Sequence, residues 1–239
     1  MAGVQANREQ APTEPATDRS AAPNANPDPR NRLYHFLQFC LQLTVPVYFR
    51  FQARGIEHVP GRGPALFVVN HQSFLDPVMA GLALSRPVRF LARDTLYRGP
   101  LIRAFLNKVY AIPVNRDSAS STTIRQAAAQ LRQGFLVGIF PEGTRSVDGQ
   151  IGPLKPGFIA LVRRSEAPII PVGVAGSGAA FPRGAWFIRP KTIRVVYGPR
   201  LQPELLAQFK GHGSEQALLD TVRAAMSRCY DEAREWQSR

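Results

Sequence analysis

Residues 69–76 read V-N-H-Q-S-F-L-D and set His71 and Asp76 with four residues between them, directly after the apolar run A-L-F-V-V. A neutral imidazole, with an ordinary pKa near ~6.5, can take the proton of an attacking hydroxyl; a carboxylate on its far nitrogen would fix the tautomer and stabilise the imidazolium formed in the transition state. A turn leading into a helix would fold the two side chains toward each other across this spacing. Asp76 also suits a helix start. Ser73 and Asp76 spell a capping box, or Asp76 is itself the N-cap with Pro77 at the first helical position. The two roles are compatible, and H-x-x-x-x-D by itself recurs by chance.

A second stretch, F-P-E-G-T-R-S at residues 140–146, adds chemistry of a different kind. Gly143 permits close backbone approach to a ligand, Thr144 offers a hydroxyl, and Arg145 can hold a phosphate through a bidentate pair that lysine cannot copy. Glu142 can accept hydrogen bonds from a substrate hydroxyl or hold Arg145 in place. The plainer alternative is a strand-to-loop turn with a surface ion pair. Two weaker elements follow the same theme. A-I-P-V-N-R at residues 111–116 ends a strand with Arg116, and L-K-P-G at residues 154–157 puts Lys155 near a helix start, where free N–H groups favour anions.

The elements that must position these residues alternate between short apolar runs and longer helical patterns. Strands are predicted over 65–69, 88–91, 109–114, 135–140, 169–174 and 193–197, several as continuous apolar runs of the kind covered on both faces. Helices are predicted over 100–108, 121–132 and 157–164, with Gly134 at the C-terminal cap of the second. Leu218, Val222, Ala225, Met226, Cys229 and Ala233 line one face of a last, amphipathic helix that packs on the body. The fold class is α/β: a single domain with a largely parallel or mixed sheet flanked by helices. In such sheets ligands gather beyond the carboxyl ends of strands, and the His71 and Glu142 stretches both follow strands.

Composition divides the chain into three parts. Residues 1–32 carry Val4 as their only large aliphatic and no aromatic residue, so they cannot offset their ordering entropy and are expected to be a disordered tail. Their charges cancel, which leaves the whole formal charge of +13 on the remainder. That field favours an anionic partner without choosing among nucleic acid, an anionic membrane surface and a phosphorylated substrate. Residues 33–52 form an amphipathic, membrane-associating segment, and residues 53–239 the folded domain. From 33 to 49 there is no charged residue; His35, Gln38 and Gln42 make one narrow polar stripe among apolar neighbours, and Pro46 is expected to bend or end the helix. A helix lying in the headgroup region fits better than a core helix or a short span. Cys40 and Cys229 form neither a disulfide framework nor a metal site, and no secretory signal is expected.

Taken in order, H-x-x-x-x-D, a strand-end arginine, F-P-E-G-T-R-S and I-I-P-V-G-V at residues 169–174 resemble the four blocks of the glycerolipid acyltransferase family, which includes the 1-acyl-glycerol-3-phosphate (lysophosphatidate) acyltransferases. The resemblance runs from about Gly55 to Arg200. It implies transfer of an acyl chain from an acyl thioester, acyl-CoA or acyl carrier protein, to a lysophospholipid hydroxyl at the cytoplasmic face of the cell membrane, with the donor as a substrate and no cofactor or metal. His71 and Asp76 match the catalytic pair. Arg116, Glu142, Gly143, Thr144 and Arg145 match positions tied to acceptor binding, with Lys155 a further candidate from its own context, and Pro171 falls in the fourth block. One departure stands out: Tyr110 occupies the place where the second block commonly opens with glycine, which puts the shape of the acceptor pocket in question.

Two readings from other classes compete. A-G-S-G-A at residues 175–179 nearly spells a serine-hydrolase elbow, but only His212 follows Ser177 and no Asp lies between them. A nucleic-acid-binding module would suit the charge, yet there is no zinc spacing, aromatic RNA-binding signature or basic recognition helix, so no nucleic-acid partner is expected.

Overall fold

The short apolar runs become the strands of one sheet, and the helical patterns cover it. The computed structural model describes residues 31–97, 99–114, 121–165, 167–209 and 213–239. In chain order its elements are α1 (Arg32–Tyr48), β1 (Gln52–Arg54), β2 (Ala65–Val69), α2 (Asp76–Leu82), β3 (Val88–Arg93), α3 (Pro100–Lys108), β4 (Ile112–Val114), α4 (Ser121–Arg132), β5 (Leu136–Ile139), α5 (Gly157–Ser165), β6 (Ile169–Ala175), α6 (Ser177–Ala180), β7 (Arg194–Tyr197), α7 (Pro203–Ala207) and α8 (Glu215–Ser238). The strands lie in the order β1-β7-β6-β2-β5-β3-β4. Every neighbouring pair is parallel except β6 with β7.

Apolar cover on both faces explains why β2 and β6 read as unbroken apolar runs: every residue of both is buried. On one face, Leu66 and Val68 pack with Leu131 of α4, Phe158 and Leu161 of α5, and Val222 and Met226 of α8. On the other, Phe67 and Val69 meet Val45 and Phe49 at the end of α1 and Met79 of α2. Each such large side chain contributes about 1.5–3 kcal/mol relative to exposure. The backbone of α8 comes so close to β6 that a Cβ on Gly173 would lie 2.3 Å from the Cys229 carbonyl carbon, so this strand position admits no side chain.

The structure extends the predicted pattern in places. The expected strand over 109–114 is strand only from Ile112, because Val109 and Tyr110 complete the turn that ends α3. β1 escapes a reading by apolar runs because only Ala53 of its three residues is apolar; α2, α6 and α7 are too short for a helical period to show.

The helix expected after residue 33 is present but not interrupted at Pro46, which lies within its last turn. Val45 and Phe49 are anchored in the core, Phe49 N–H donates to the Val45 carbonyl, and the Tyr48 hydroxyl donates to the Ile188 carbonyl at 2.9 Å, so that turn survives the missing proline N–H. Two members of the polar stripe reach the body, whereas His35 is exposed. Gln38 and Gln42 donate their side-chain N–H groups to the carbonyls of Leu84 and Leu82, both at 2.9 Å, supplying acceptors left open at the end of α2. Phe36, Phe39, Leu43 and Val47 are left exposed on α1. Among the described residues no helix is long and apolar enough to cross a membrane.

Candidate active site

Because β2 and β5 are adjacent and parallel, with Val68 paired to Ile139, the loops that follow them leave the same edge of the sheet. The β2 loop carries His71 and Asp76; the β5 loop carries Phe140 to Ser146. Asn70 fixes the first of these against β6, its amide donating to the Val174 carbonyl and accepting from the Val174 N–H at 3.0 and 2.7 Å.

His71 Nδ1 lies 2.9 Å from Asp76 Oδ2. The same carboxylate oxygen accepts from the backbone N–H groups of Gln72 and Ser73, both at 2.7 Å, and Asp76 is fully buried. The anion is therefore held by three donors in a site from which water is excluded. With an ionised carboxylate as its acceptor, Nδ1 carries the proton and Nε2 presents its lone pair. The capping expectation is half met. Asp76 reaches back to the Ser73 N–H, but Ser73 Oγ takes the Leu75 N–H and donates to the Phe181 carbonyl at 2.9 Å.

The imidazole lies flat on Phe140, with ring centroids 4.0 Å apart and 19° between planes, and Phe140 in turn stacks on Phe90. Its side chain retains 18% exposure, so one edge of the ring is open to a ligand. The quadrupole of an aromatic face favours a cation above it.

The F-P-E-G-T-R-S loop grips the backbone of His71 from both sides. Glu142 Oε1 accepts its N–H at 2.9 Å, and the Ser146 N–H donates to its carbonyl at 2.6 Å. Glu142 Oε2 accepts from the Gly152 N–H at 3.0 Å. Both carboxylate oxygens thus hold main chain, a placement that motif reading could not supply. Burial pushes the Glu142 carboxyl above its usual range, opposed by the N–H bonds from Gly152 and His71.

The remaining candidates lie around this block. Gly143 has φ +73°, so a side chain there would be strained in backbone, and the Lys155 side chain passes 3.4 Å from where its Cβ would be, an ordinary contact. The Lys155 N–H donates to the Pro141 carbonyl, which ties that lysine to the motif. Thr144 is exposed, and the Arg145 guanidinium lies 4.1 Å above the Phe74 ring. The structure brings His71, Asp76, Glu142, Gly143, Thr144, Arg145 and Lys155 to one edge; Arg116 lies outside the described residues. Among those residues no group of three or more His, Cys, Asp or Glu side chains is arranged to hold a metal ion.

Tyr110 shows why glycine suits its place: its φ is +61°, a conformation that a side chain disfavours. Its ring packs edge-on against Tyr34 of α1 at 5.1 Å and beneath the Arg89 guanidinium at 5.2 Å. Ser177, the centre of the near-miss elbow, is fully buried, and its hydroxyl has no hydrogen-bond partner among the described residues. Sequence reading missed the Phe140 stack. No sequence signal could have found it, because it depends on β2 and β5 being neighbours.

Comparison with known proteins gives the family and the fold. The chain is 28% identical over 172 residues to a chloroplastic 1-acyl-sn-glycerol-3-phosphate acyltransferase of Brassica napus, covering 70% of this chain and 50% of that protein. It is 26% identical over 197 residues to the enzyme of the same name from Bacillus subtilis, covering 82% and 94%. The chain spans about half the length of the plant relatives it matches. A crystal structure of the 1-acyl-sn-glycerophosphate acyltransferase of Thermotoga maritima has the same fold, with TM-score 0.68 and 22% identity over 88% of this chain and 83% of that one. The acyltransferase family model matches residues 50–175, more than half of the sequence and all of the block built around His71 and Glu142, and the chain belongs to that family.

Proposed function

We propose that the chain moves a fatty acyl group from an acyl thioester to the free hydroxyl of 1-acyl-sn-glycerol-3-phosphate, giving phosphatidic acid. The observation that carries the reading is the pairing of a part-exposed His71 with the buried Asp76 at 2.9 Å, in loops where Arg145 lies over Phe74 and Lys155 passes Gly143. The names of the relatives support this acceptor. His71 Nε2 takes the hydroxyl proton as the oxygen attacks the thioester carbonyl. The tetrahedral intermediate collapses with cleavage of the carbon–sulfur bond, and the thiolate recovers the proton from the imidazolium, which Asp76 and the Phe140 face stabilise. The acyl group passes directly, with neither an acyl-enzyme nor a cofactor; Cys40 lies on α1, and Cys229, buried against the sheet, has its thiol pushed up to about 11.

Arg145, with Arg116, Lys155 and Thr144, orients the acceptor phosphate, while Glu142 keeps His71 in place. Acyl-CoA and acyl carrier protein both supply the required thioester. The reaction runs at the cytoplasmic face of the membrane, with the outward apolar residues of α1 in the headgroup region and surrounding basic side chains on anionic lipid.

The test is thiol release from acyl-CoA or acyl carrier protein, with and without lysophosphatidate, in mixed micelles. Wild-type protein should show acceptor-dependent release, and His71→Ala should lower it by about 10²- to 10⁴-fold with thermal stability retained. Full activity in that variant would remove His71 from the reaction; no release from either donor would remove lysophosphatidate as acceptor.

A further inference from the structure

α1 is not the only element that turns apolar side chains outward. Between α6 and β7, Trp186, Phe187 and Ile188 are 89%, 45% and 42% exposed in three consecutive positions. A soluble surface does not ordinarily present a tryptophan, a phenylalanine and an isoleucine side by side. The loop is a built structure. The Arg189 N–H donates to the Ala180 carbonyl at 2.8 Å, the Ala185 N–H to the Pro182 carbonyl at 3.2 Å, and the Trp186 and Phe187 rings meet edge to face.

Both ends of the loop are fixed to parts already described. At its start, the Phe181 carbonyl accepts from Ser73 in the His71 block. Toward its end, the Ile188 carbonyl accepts from Tyr48 in the last turn of α1. Its charge is of one sign. Arg183, Arg189 and Lys191 are exposed around the apolar triplet, with the Arg189 guanidinium 5.2 Å from the Phe187 ring, and no Asp or Glu occurs from Ala167 to Pro203. An amphipathic ring in a basic collar matches the boundary between anionic headgroups and acyl chains, where tryptophan is favoured.

Resting on the reading of a membrane-working acyltransferase, we propose that residues 182–191 are a second membrane-inserting element, with Trp186 as its tip. Hydrogen-bonded to α1 on one side and to the His71 block on the other, the loop gives the domain a second point of attachment. Two points fix the tilt of the His71 edge relative to the bilayer, which one helix cannot.

The test uses the full chain carrying Trp236→Phe, which leaves Trp186 as its only tryptophan. Its emission is followed on phosphatidylcholine vesicles with and without phosphatidylglycerol, and with brominated acyl chains as quencher. A blue shift with quenching, stronger on the anionic vesicles, is expected; Trp186→Ala should lower the vesicle partition coefficient roughly tenfold or more, the burial of one large apolar side chain expressed as a ratio. Unchanged emission on vesicles that have bound the protein overturns the inference and leaves α1 as the anchor. A blue shift that grows with protein concentration without lipid assigns the patch to a second copy of the chain and also overturns it. Failure to bind vesicles at all overturns it together with the membrane reading, whereas acyl transfer is read separately by thiol release in micelles.

Discussion

The two sides of α2 follow opposite physical rules. At its start, Asp76 is buried and collects three hydrogen bonds, two from main chain and one from His71, and the neighbouring loop spends both oxygens of Glu142 on backbone N–H groups. At its end, Leu82 and Leu84 give their carbonyls to the glutamines of α1, whose opposite face exposes Phe36, Phe39, Leu43 and Val47. The first region depends on direction, because a hydrogen bond weakens steeply with angle and an unmet buried partner is costly. The outward face of α1 depends on area alone, because apolar burial has no direction. The hydrogen-bonded block around His71 therefore tolerates few changes, whereas the outward face of α1 tolerates any residue that leaves the fold intact and is judged only by what it meets outside.

Substitutions that keep shape but change chemistry sharpen this contrast. Asp76→Asn has the largest expected effect. An amide oxygen in the place of Oδ2 still accepts the Gln72 and Ser73 N–H groups and still faces Nδ1, but the negative charge opposite the imidazole is gone, so kcat should fall about 10²- to 10⁴-fold with circular dichroism unchanged. Retained activity would mean that Asp76 only shapes the turn.

Glu142→Gln comes next. One of the two part-buried N–H groups held by Glu142 loses its acceptor, which should cost about 1–3 kcal/mol in denaturant unfolding. The pH dependence has a definite sign. Burial raises the native pKa, so the native state keeps this proton above the pH at which the unfolded chain releases it; the associated stability is present at low pH and lost as pH rises through the raised value. That slope should be absent in the variant, and its persistence would assign it to another group.

Phe140→Leu keeps an apolar side chain but removes the aromatic face beneath His71. Turnover should fall roughly 2- to 30-fold, the range of a cation–π contribution, with KM little changed and Phe140→Tyr restoring most of the rate. Equal loss in both variants would indicate a packing role. Phe39→Gln, on the other side of the comparison, should alter unfolding free energy by less than about 0.5 kcal/mol while lowering vesicle binding. A large loss of stability would show that this face is covered within the protein.

Much of the fold was legible because its signals are local. The boundaries of β2, α3 and α4 follow directly from apolar runs, a leading Pro100 and a closing Gly134, whose φ is +84°. The placement of both motifs after strands also follows, since each is preceded by such a run. The inward turn of Gln38 and Gln42 was not legible: periodicity defines a stripe but not which neighbour it faces, and here the neighbour is the carbonyl-rich end of a seven-residue helix. Nor was the part taken by Glu142, because motif chemistry identifies a carboxylate and only its surroundings identify the donors.

The sequence by itself determined an α/β chain with a basic body, a histidine and an aspartate close enough to meet, and an arginine-bearing loop after another strand. These depend on composition, spacing and periodicity, which act within one or two turns of chain. Only the tertiary structure decided that β2 and β5 would be neighbours, that Glu142 and Ser146 would clamp His71 while Phe140 lies beneath its ring, and that the loop carrying Trp186 would join the catalytic edge to α1. Those contacts link residues tens of positions apart, and they exist because burial of both sheet faces selects one strand order among many with the same local pattern.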